Sequence, residues 1–130
     1  MALFYKTVQR SSNPGNPEAP KRWYLILKSL GMMKEKDVAA AIADETTLNP
    51  KEAEMAIYQF QKVLAKYLLE GHTVQLGELG SFQLVAQSDG VDNESDVTPT
   101  LVKKINIRFT PSTAIKEAIA KASFKPVKGL

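Results

Sequence analysis

One stretch limits the fold more than any other. Asn49-Pro50-Lys51-Glu52 combines a capping residue, a proline suited to the first helical position and a carboxylate three residues after the cap, the pattern of a capping box with Asn in the capping role. Behind it Ala53, Ile57, Phe60, Leu64 and Tyr67 recur at spacings of four and three, Ala56, Val63 and Leu68 widen the stripe, and Gly71 supplies the stop. The spacing predicts a long helix that is apolar over much of its girth. A weaker helix is expected over 34–46, where Val38, Ile42 and several alanines fall at helical spacing without an evident cap at the start. Two helices do not cover such a face, so a second copy of the chain is its natural partner, with Ile57, Phe60 and Leu64 in the dimer core.

After Gly71 the period changes from helical to two. Thr73–Leu76 and Ser81–Ala86 read as strands joined by a tight turn in which Gly77 and Gly80 bracket Glu78 and Leu79, and Phe82, Leu84 and Ala86 share a face. A third strand places Ile105, Ile107 and Phe109 on a core face, with Lys104, Asn106 and Arg108 opposite. The polar, acidic segment between them, Gln87–Thr100, is too hydrophilic to pack and is expected to project as an arm. Thr110 and Pro111 read as cap and first residue of a last helix that buries Ala114, Ile115, Ala118, Ile119 and Ala122 and leaves Lys116 and Lys121 wet.

The ends are simpler. Leu3–Val8 reads as a strand, residues 11–20 as a loop with three prolines, and Arg22–Lys28 as a strand with both faces covered. Residues 123–130 are expected to form a frayed basic tail. The layout is α+β: a 1–32 N-terminal β extension, a domain over 33–122 with its arm at about 86–102, and the tail over 123–130.

Composition removes many functions. The 130 residues contain no cysteine and one histidine, His72. Thiol catalysis, disulfides, Cys-bearing zinc sites and sites needing two His ligands are thereby excluded. His72 follows a helix stop, where it can meet terminal carbonyls. No nucleophile has an identifiable base and no glycine motif cradles a phosphate, so no catalytic residue, cofactor, metal site or small-molecule substrate is expected. The acids of the arm lack the spacing and the glycine of a calcium loop. The chain shows no secretory leader and no run long enough to span a membrane, which points to the cytoplasm.

Net charge is only +3, with seventeen basic and fourteen acidic residues, but it is segregated. Asp89, Asp92, Glu94 and Asp96 crowd 86–100 without a base, while 101–130 holds seven bases against Glu117. Phe4, Tyr5, Trp23 and Tyr24, lying among Lys6, Lys21 and Arg22, have the ingredients of a platform for single strands, with packing in the core or the dimer the simpler role.

The run Glu70-Gly71-His72-Thr73-Val74-Gln75-Leu76 into Gly77-Glu78-Leu79-Gly80-Ser81-Phe82, and Phe109 followed by Ser112-Thr113-Ala114-Ile115-Lys116-Glu117-Ala118-Ile119, resemble segments of the HU/IHF family of bacterial histone-like DNA-binding proteins. The resemblance spans about 33–121, and the added N-terminal segment is similar to HU-like proteins of Bacteroides-type bacteria. It implies an intertwined homodimer with a helical base, a three-stranded antiparallel sheet extending into an arm, and a C-terminal helix. It also implies a nucleoid-associated protein that binds double-stranded DNA through the backbone and minor groove with little sequence specificity. Carried over residue by residue, the DNA contacts are Lys103, Lys104, Arg108, Lys116, Lys121, Gly80 and Ser81, and the dimer core gains Phe82 and Phe109.

The arm departs from the family. Its tip proline would fall near Asn93, and no Arg-Asn-Pro stands in the segment; four carboxylates there repel a polymer carrying one charge per ~1.7 Å of axis. Kinking by a wedged proline is not expected. The rival reading is a structural or protein-interaction module with an HU fold, whose acidic arm has lost DNA binding.

Overall fold

The structure, a computed structural model, describes residues 2–127. It divides into two compact units, one of residues 1–33 with 118–130 and the other of residues 34–117.

In the first unit, β1 (Ala2–Ser11) runs antiparallel to β2 (Lys21–Leu27), with Tyr5 opposite Leu27 and Arg10 opposite Arg22. The loop between them is built by asparagines: Asn13 Oδ1 accepts from the Gly15 N–H (3.1 Å) and Asn16 Oδ1 from the Glu18 N–H (3.0 Å), two Asx turns that replace ladder hydrogen bonds. The third strand was not expected. Residues 123–126 form a strand parallel to β1, pairing Leu3 with Phe124 and Tyr5 with Pro126, where a frayed tail is read from the sequence; residues 128–130 of that tail lie outside the described residues. Proline is tolerated because the strand is an edge, where its missing N–H leaves no ladder bond unmade. The expectation that Arg22–Lys28 is covered on both faces also fails. β2 is the other edge of this sheet, and Trp23 is 66% exposed.

In the second unit, α1 (Glu35–Glu45) packs on α2 (Pro50–Leu69). The start of α1 carries half a capping box: Lys34 offers no acceptor, but its N–H donates to Asp37 Oδ2 (2.9 Å). The start of α2 has the whole one, with Glu52 N–H donating to Asn49 Oδ1 (2.8 Å) and Asn49 N–H to Glu52 Oε1 (3.1 Å). Gly71, at φ +93°, closes α2 while the His72 N–H returns to the Tyr67 carbonyl (3.0 Å). At the helix end His72 contributes that backbone bond, an edge contact with the Tyr67 ring and an imidazole Nε2 3.9 Å from Glu70 Oε2.

The second sheet has the order β3 (Val74–Gln75), β4 (Gly80–Ser88), β5 (Val102–Pro111), all antiparallel. Phe82 pairs with Phe109, Leu84 with Ile107 and Ala86 with Ile105, the shared face read from the sequence, and the two phenyl rings lie 5.0 Å apart. This face is not a core within one chain, since Ile105 is 61% exposed. The last element, α3 (Thr113–Ala120), begins later than the Thr110-Pro111 signal suggests. Those two residues are held in the ladder opposite Ser81 and Gly80, so Ser112 becomes the cap and its Oγ accepts from the Ile115 N–H (3.2 Å). Of the residues expected to be buried by this helix, Ile115 and Ala122 are half-buried, whereas Ala114, Ala118 and Ile119 are exposed.

Among the described residues the buried apolar side chains are Ala39, Ala53 and Leu68, all in the second unit, where Gly80 is buried as well. Ile57, Leu64 and Phe82 are half-buried, and Phe60 and Phe109 are exposed, so the described residues of the second unit leave the packing around them incomplete.

Gly80 fixes the turn into β4. Its φ is +142°, and a Cβ there would run into the Thr110 carbonyl and approach the Pro111 Cα at 2.9 Å. Gly80→Ala is expected to cost about 2–4 kcal/mol, from a strained backbone plus a clash that backbone atoms cannot relieve, read as a lower midpoint in urea denaturation. A midpoint unchanged within error would contradict this packing.

Tyr58 ties α2 to α1 by donating to Glu35 Oε1 (3.4 Å). Its phenol is held above its ordinary 10.0, first by the Glu35 charge, then by loss of solvent, the Glu54 charge and the hydrogen bond to Glu35. A raised phenol favours the neutral folded form, so this contact persists at neutral pH and is lost as pH climbs through the elevated value. Glu35→Gln is expected to bring the phenol back toward 10.0, as followed by its ultraviolet ionisation band.

Candidate nucleic-acid interface

The side of the β4–β5 ladder away from the phenyl pair is polar and cationic. Register sets Ser81 opposite Thr110, Gln83 opposite Arg108, Val85 opposite Asn106 and Gln87 opposite Lys104. Directly paired residues point to the same side of a sheet, so the ladder brings Lys104, Arg108 and Ser81 onto one face. Lys104 and Arg108 are four residues apart, about 13 Å along the strand at ~3.3 Å per residue. The two glutamines that face them add amide donors; Gln83 falls in the strand expected from the sequence and Gln87 in the expected arm, and only the register shows which base each one meets.

Lys103 does not join that row. The ladder slips between Gln87 and Ser88, so Ser88 pairs with Val102 and Lys103 is the extra residue of a bulge. Its Nζ sits 2.7 Å from Asp89 Oδ1, at the mouth of the arm. Both groups are more than half exposed, so the pair adds little stability, but it cancels one base at the arm's root.

The arm is shorter than its acidic composition suggests. The strands claim Gln87, Ser88 and Val102 from it, and the Asp89 N–H donates to the Leu101 carbonyl (3.0 Å). Between those ends lie two single 3-10 turns, Glu94–Asp96 and Pro99–Leu101. Asn93 precedes the first of them and donates to Asp96 Oδ2 (3.4 Å).

Gly80 is buried and its carbonyl accepts from the Leu76 N–H (2.8 Å), so it serves the turn. Ser81 is half-buried in an open groove of about 420 Å³ lined also by Thr73, Gln75, Thr110 and Ser112. Lys116 is exposed on α3 within this unit, whereas Lys121 follows α3 and belongs to the other unit. Ser112, which the sequence motif contains without a role of its own, joins the parts: its N–H donates to the Leu79 carbonyl (3.2 Å), its hydroxyl to the Glu78 carbonyl, and it caps α3. Among the described residues no cluster of carboxylates and histidine could hold a metal ion, and no helix is long and apolar enough to cross a membrane.

Comparison with known proteins decides the family. Residues 1–126 match the model of the HU-HIG family, an HU domain fused to a winged helix-turn-helix, Ig or glycine-rich motif. The chain belongs to this family. The HU resemblance read from its motifs is therefore borne out, and the match takes in the N-terminal segment that the short HU proteins lack. DNA-binding protein HU of Lactococcus lactis is 27% identical over 90 residues, which are 68% of this chain and 99% of that protein. Two solved structures share the fold. A candidate bacterial DNA-binding protein of Bacteroides vulgatus is 18% identical, with a TM-score of 0.62 over 97% of this HU-HIG chain and 48% of its own. Anabaena HU, crystallised with DNA, is 17% identical, with a TM-score of 0.55 over 68% of this chain and 99% of its own. The chain thus spans about half the length of the Bacteroides relative, itself in keeping with the Bacteroides-type variant.

Ser112→Ala is expected to lower stability by about 1–2 kcal/mol, since it removes an N-cap and a hydroxyl tie to the β3–β4 turn together. Thermal or urea unfolding measures this; Thr at the same position should recover most of the loss.

Proposed function

We propose that this HU-HIG chain is a nucleoid-associated, histone-like DNA-binding protein. It acts in the cytoplasm as a homodimer and grips the duplex backbone and minor groove with little sequence preference. The observation that carries the reading is the β4–β5 face, where Lys104, Arg108 and Ser81 stand in register with two glutamines and no carboxylate. Such groups position a protein on phosphate and sugar without reading bases. Lys116 adds a further positive charge from α3, and Lys121 and Lys103 are assigned lesser parts, the latter because Asp89 neutralises it.

The dimer follows from burial. With three buried apolar side chains among the described residues, and with Phe60, Val63 and Tyr67 all exposed along α2, the chain lacks apolar partners that a second copy supplies. Ile57, Leu64, Phe82 and Phe109 complete the proposed interface.

HU-type proteins bend DNA by wedging apolar side chains between base steps. Here the tip offers Asn93 and three carboxylates, Asp92, Glu94 and Asp96, so the proposed mode is backbone contact without proline-driven kinking. The reading involves no catalysis, cofactor, membrane or small-molecule substrate.

Fluorescence anisotropy with a labelled duplex, intact and nicked, tests it. Binding is expected at micromolar concentration, with log K falling as log salt rises by about 0.9 per phosphate neutralised. K104Q/R108Q should lower that slope by about 2 per engaged protomer and weaken all duplex sequences alike. Absence of binding at low salt defeats the proposal and leaves the acidic-armed interaction module, and a monomeric mass in light scattering defeats the dimer.

A further inference from the structure

Charge divides between the two units in a way the total conceals. Residues 1–33 and 118–130 hold eight of the seventeen bases and one acid, Glu18, a net +7; residues 34–117 net −4. The unit that resembles ordinary HU is the acidic one.

Within the terminal sheet the bases are sorted again by register. Val8 pairs with Tyr24, Arg10 with Arg22, Lys6 with Ile26 and Phe4 with Lys125, so these side chains share one face. Lys28 extends the row, its N–H donating to the Phe4 carbonyl (2.8 Å). Leu3, Trp23, Leu25, Leu27 and Phe124 alternate onto the opposite face, which is apolar and exposed. The sheet therefore has one greasy side and one cationic side.

The cationic side carries Lys6, Arg10, Arg22, Lys28 and Lys125 with no acid among them. Among the described residues the only Lys or Arg side chain in an ion pair is Lys103, with Asp89, so none of these five bases is neutralised by a carboxylate. Arg10 lies over the Tyr24 ring at 5.5 Å, which preorganises its guanidinium. At the other end Lys28 and Lys125 flank Phe4 in an open hollow of about 420 Å³. From Phe4 to Arg10 the row spans about 20 Å, the rise of some six base pairs.

We infer that this face, formed by Lys6, Arg10, Arg22, Lys28 and Lys125 around Phe4 and Tyr24, binds the sugar-phosphate backbone of duplex DNA as a second contact surface in addition to the β4–β5 ladder. The choice of ligand rests on the function proposed above; the location does not. Uncompensated bases spread along one face of the sheet suit the uniform charge of a duplex, and attraction there offsets the repulsion contributed by the acidic arm. Two aromatic residues counted among the stacking candidates, Phe4 and Tyr24, lie on this side, while Tyr5 and Trp23 lie on the other, so no continuous stacking platform for single strands is formed.

The test compares three proteins by anisotropy on a 20-base-pair duplex and on a single strand of equal length, across a salt series: the unsubstituted chain, K6Q/R10Q/R22Q/K125Q and K104Q/R108Q. The fourfold variant should bind the duplex at least about tenfold more weakly at 100 mM salt, with a slope reduced by about 3 to 4 for each engaged sheet. R22Q/K125Q, which spares the Arg10–Tyr24 contact, should show about half of that slope change and guards against misfolding, with circular dichroism as the check. Duplex binding that is unchanged in both sheet variants but lost in K104Q/R108Q overturns the inference and leaves the proposed function standing. Failure of the unsubstituted chain to bind at low salt overturns both. A sheet that binds single strands in preference to duplex overturns the choice of ligand. So does one whose substitution changes only salt-sensitive self-association, as docking on the acidic arm of another copy would produce.

Discussion

The register of the β4–β5 ladder governs what this protein can present to a partner. Because successive side chains alternate, the pairing that stacks Phe82 on Phe109 also sets Gln83 against Arg108 and Gln87 against Lys104. A slip of one residue would turn Ile105 and Ile107 toward the cationic side and scatter the bases among apolar neighbours. Gly80 and Ser112 hold that register at its closed end, the first by occupying a backbone conformation and a space denied to other residues, the second by tying β5, the β3–β4 turn and α3 to one another. At the open end a single bulge ends the row, and that irregularity consigns Lys103 to Asp89 rather than to the face.

Burial is the second constraint. Hydrophobic stabilisation scales with the apolar area taken from water, and one copy removes little of it: a few small residues between helices and Leu68 near the sheet. The apolar side of the ladder, the flank of α2 and the greasy side of the terminal sheet remain open. In the proposed homodimer the first two of these become core, which relates the long apolar helix to the arm-bearing sheet: the same packing that stabilises the pair would fix the direction of both ladders.

Much of this was legible from residues alone. The Asn49–Glu52 box announced the start of α2 because its two hydrogen bonds are local, and the alternation of 104–109 announced both faces of β5 because pleating is local. The Asn-rich loop over 11–20 was legible for the same reason. Failures came where a distant strand took precedence over a local signal. Thr110-Pro111 has the form of a helix start, yet pairing with Ser81 and Gly80 keeps both residues in the ladder. Ser123-Phe124-Lys125-Pro126 has the form of a tail, yet β1 offers it an edge. Arg22–Lys28 reads as a strand covered on both sides, since a run of apolar residues cannot reveal that the face carrying Trp23, Leu25 and Leu27 stays exposed.

The sequence by itself determined most of the elements, the capping box of α2, the absence of thiol and paired-histidine sites and the HU resemblance, because each of these rests on composition or on contacts within a few residues. It also determined how many charges there are, though not how they act. Tertiary structure alone decided which bases share a surface: pairing between separate strands joins Arg10 to Arg22 and Phe4 to Lys125 and removes Lys103 from the row that holds Lys104 and Arg108. A charge repels or attracts according to its neighbours in space, and those neighbours are set by long-range hydrogen-bond register, which no local pattern encodes.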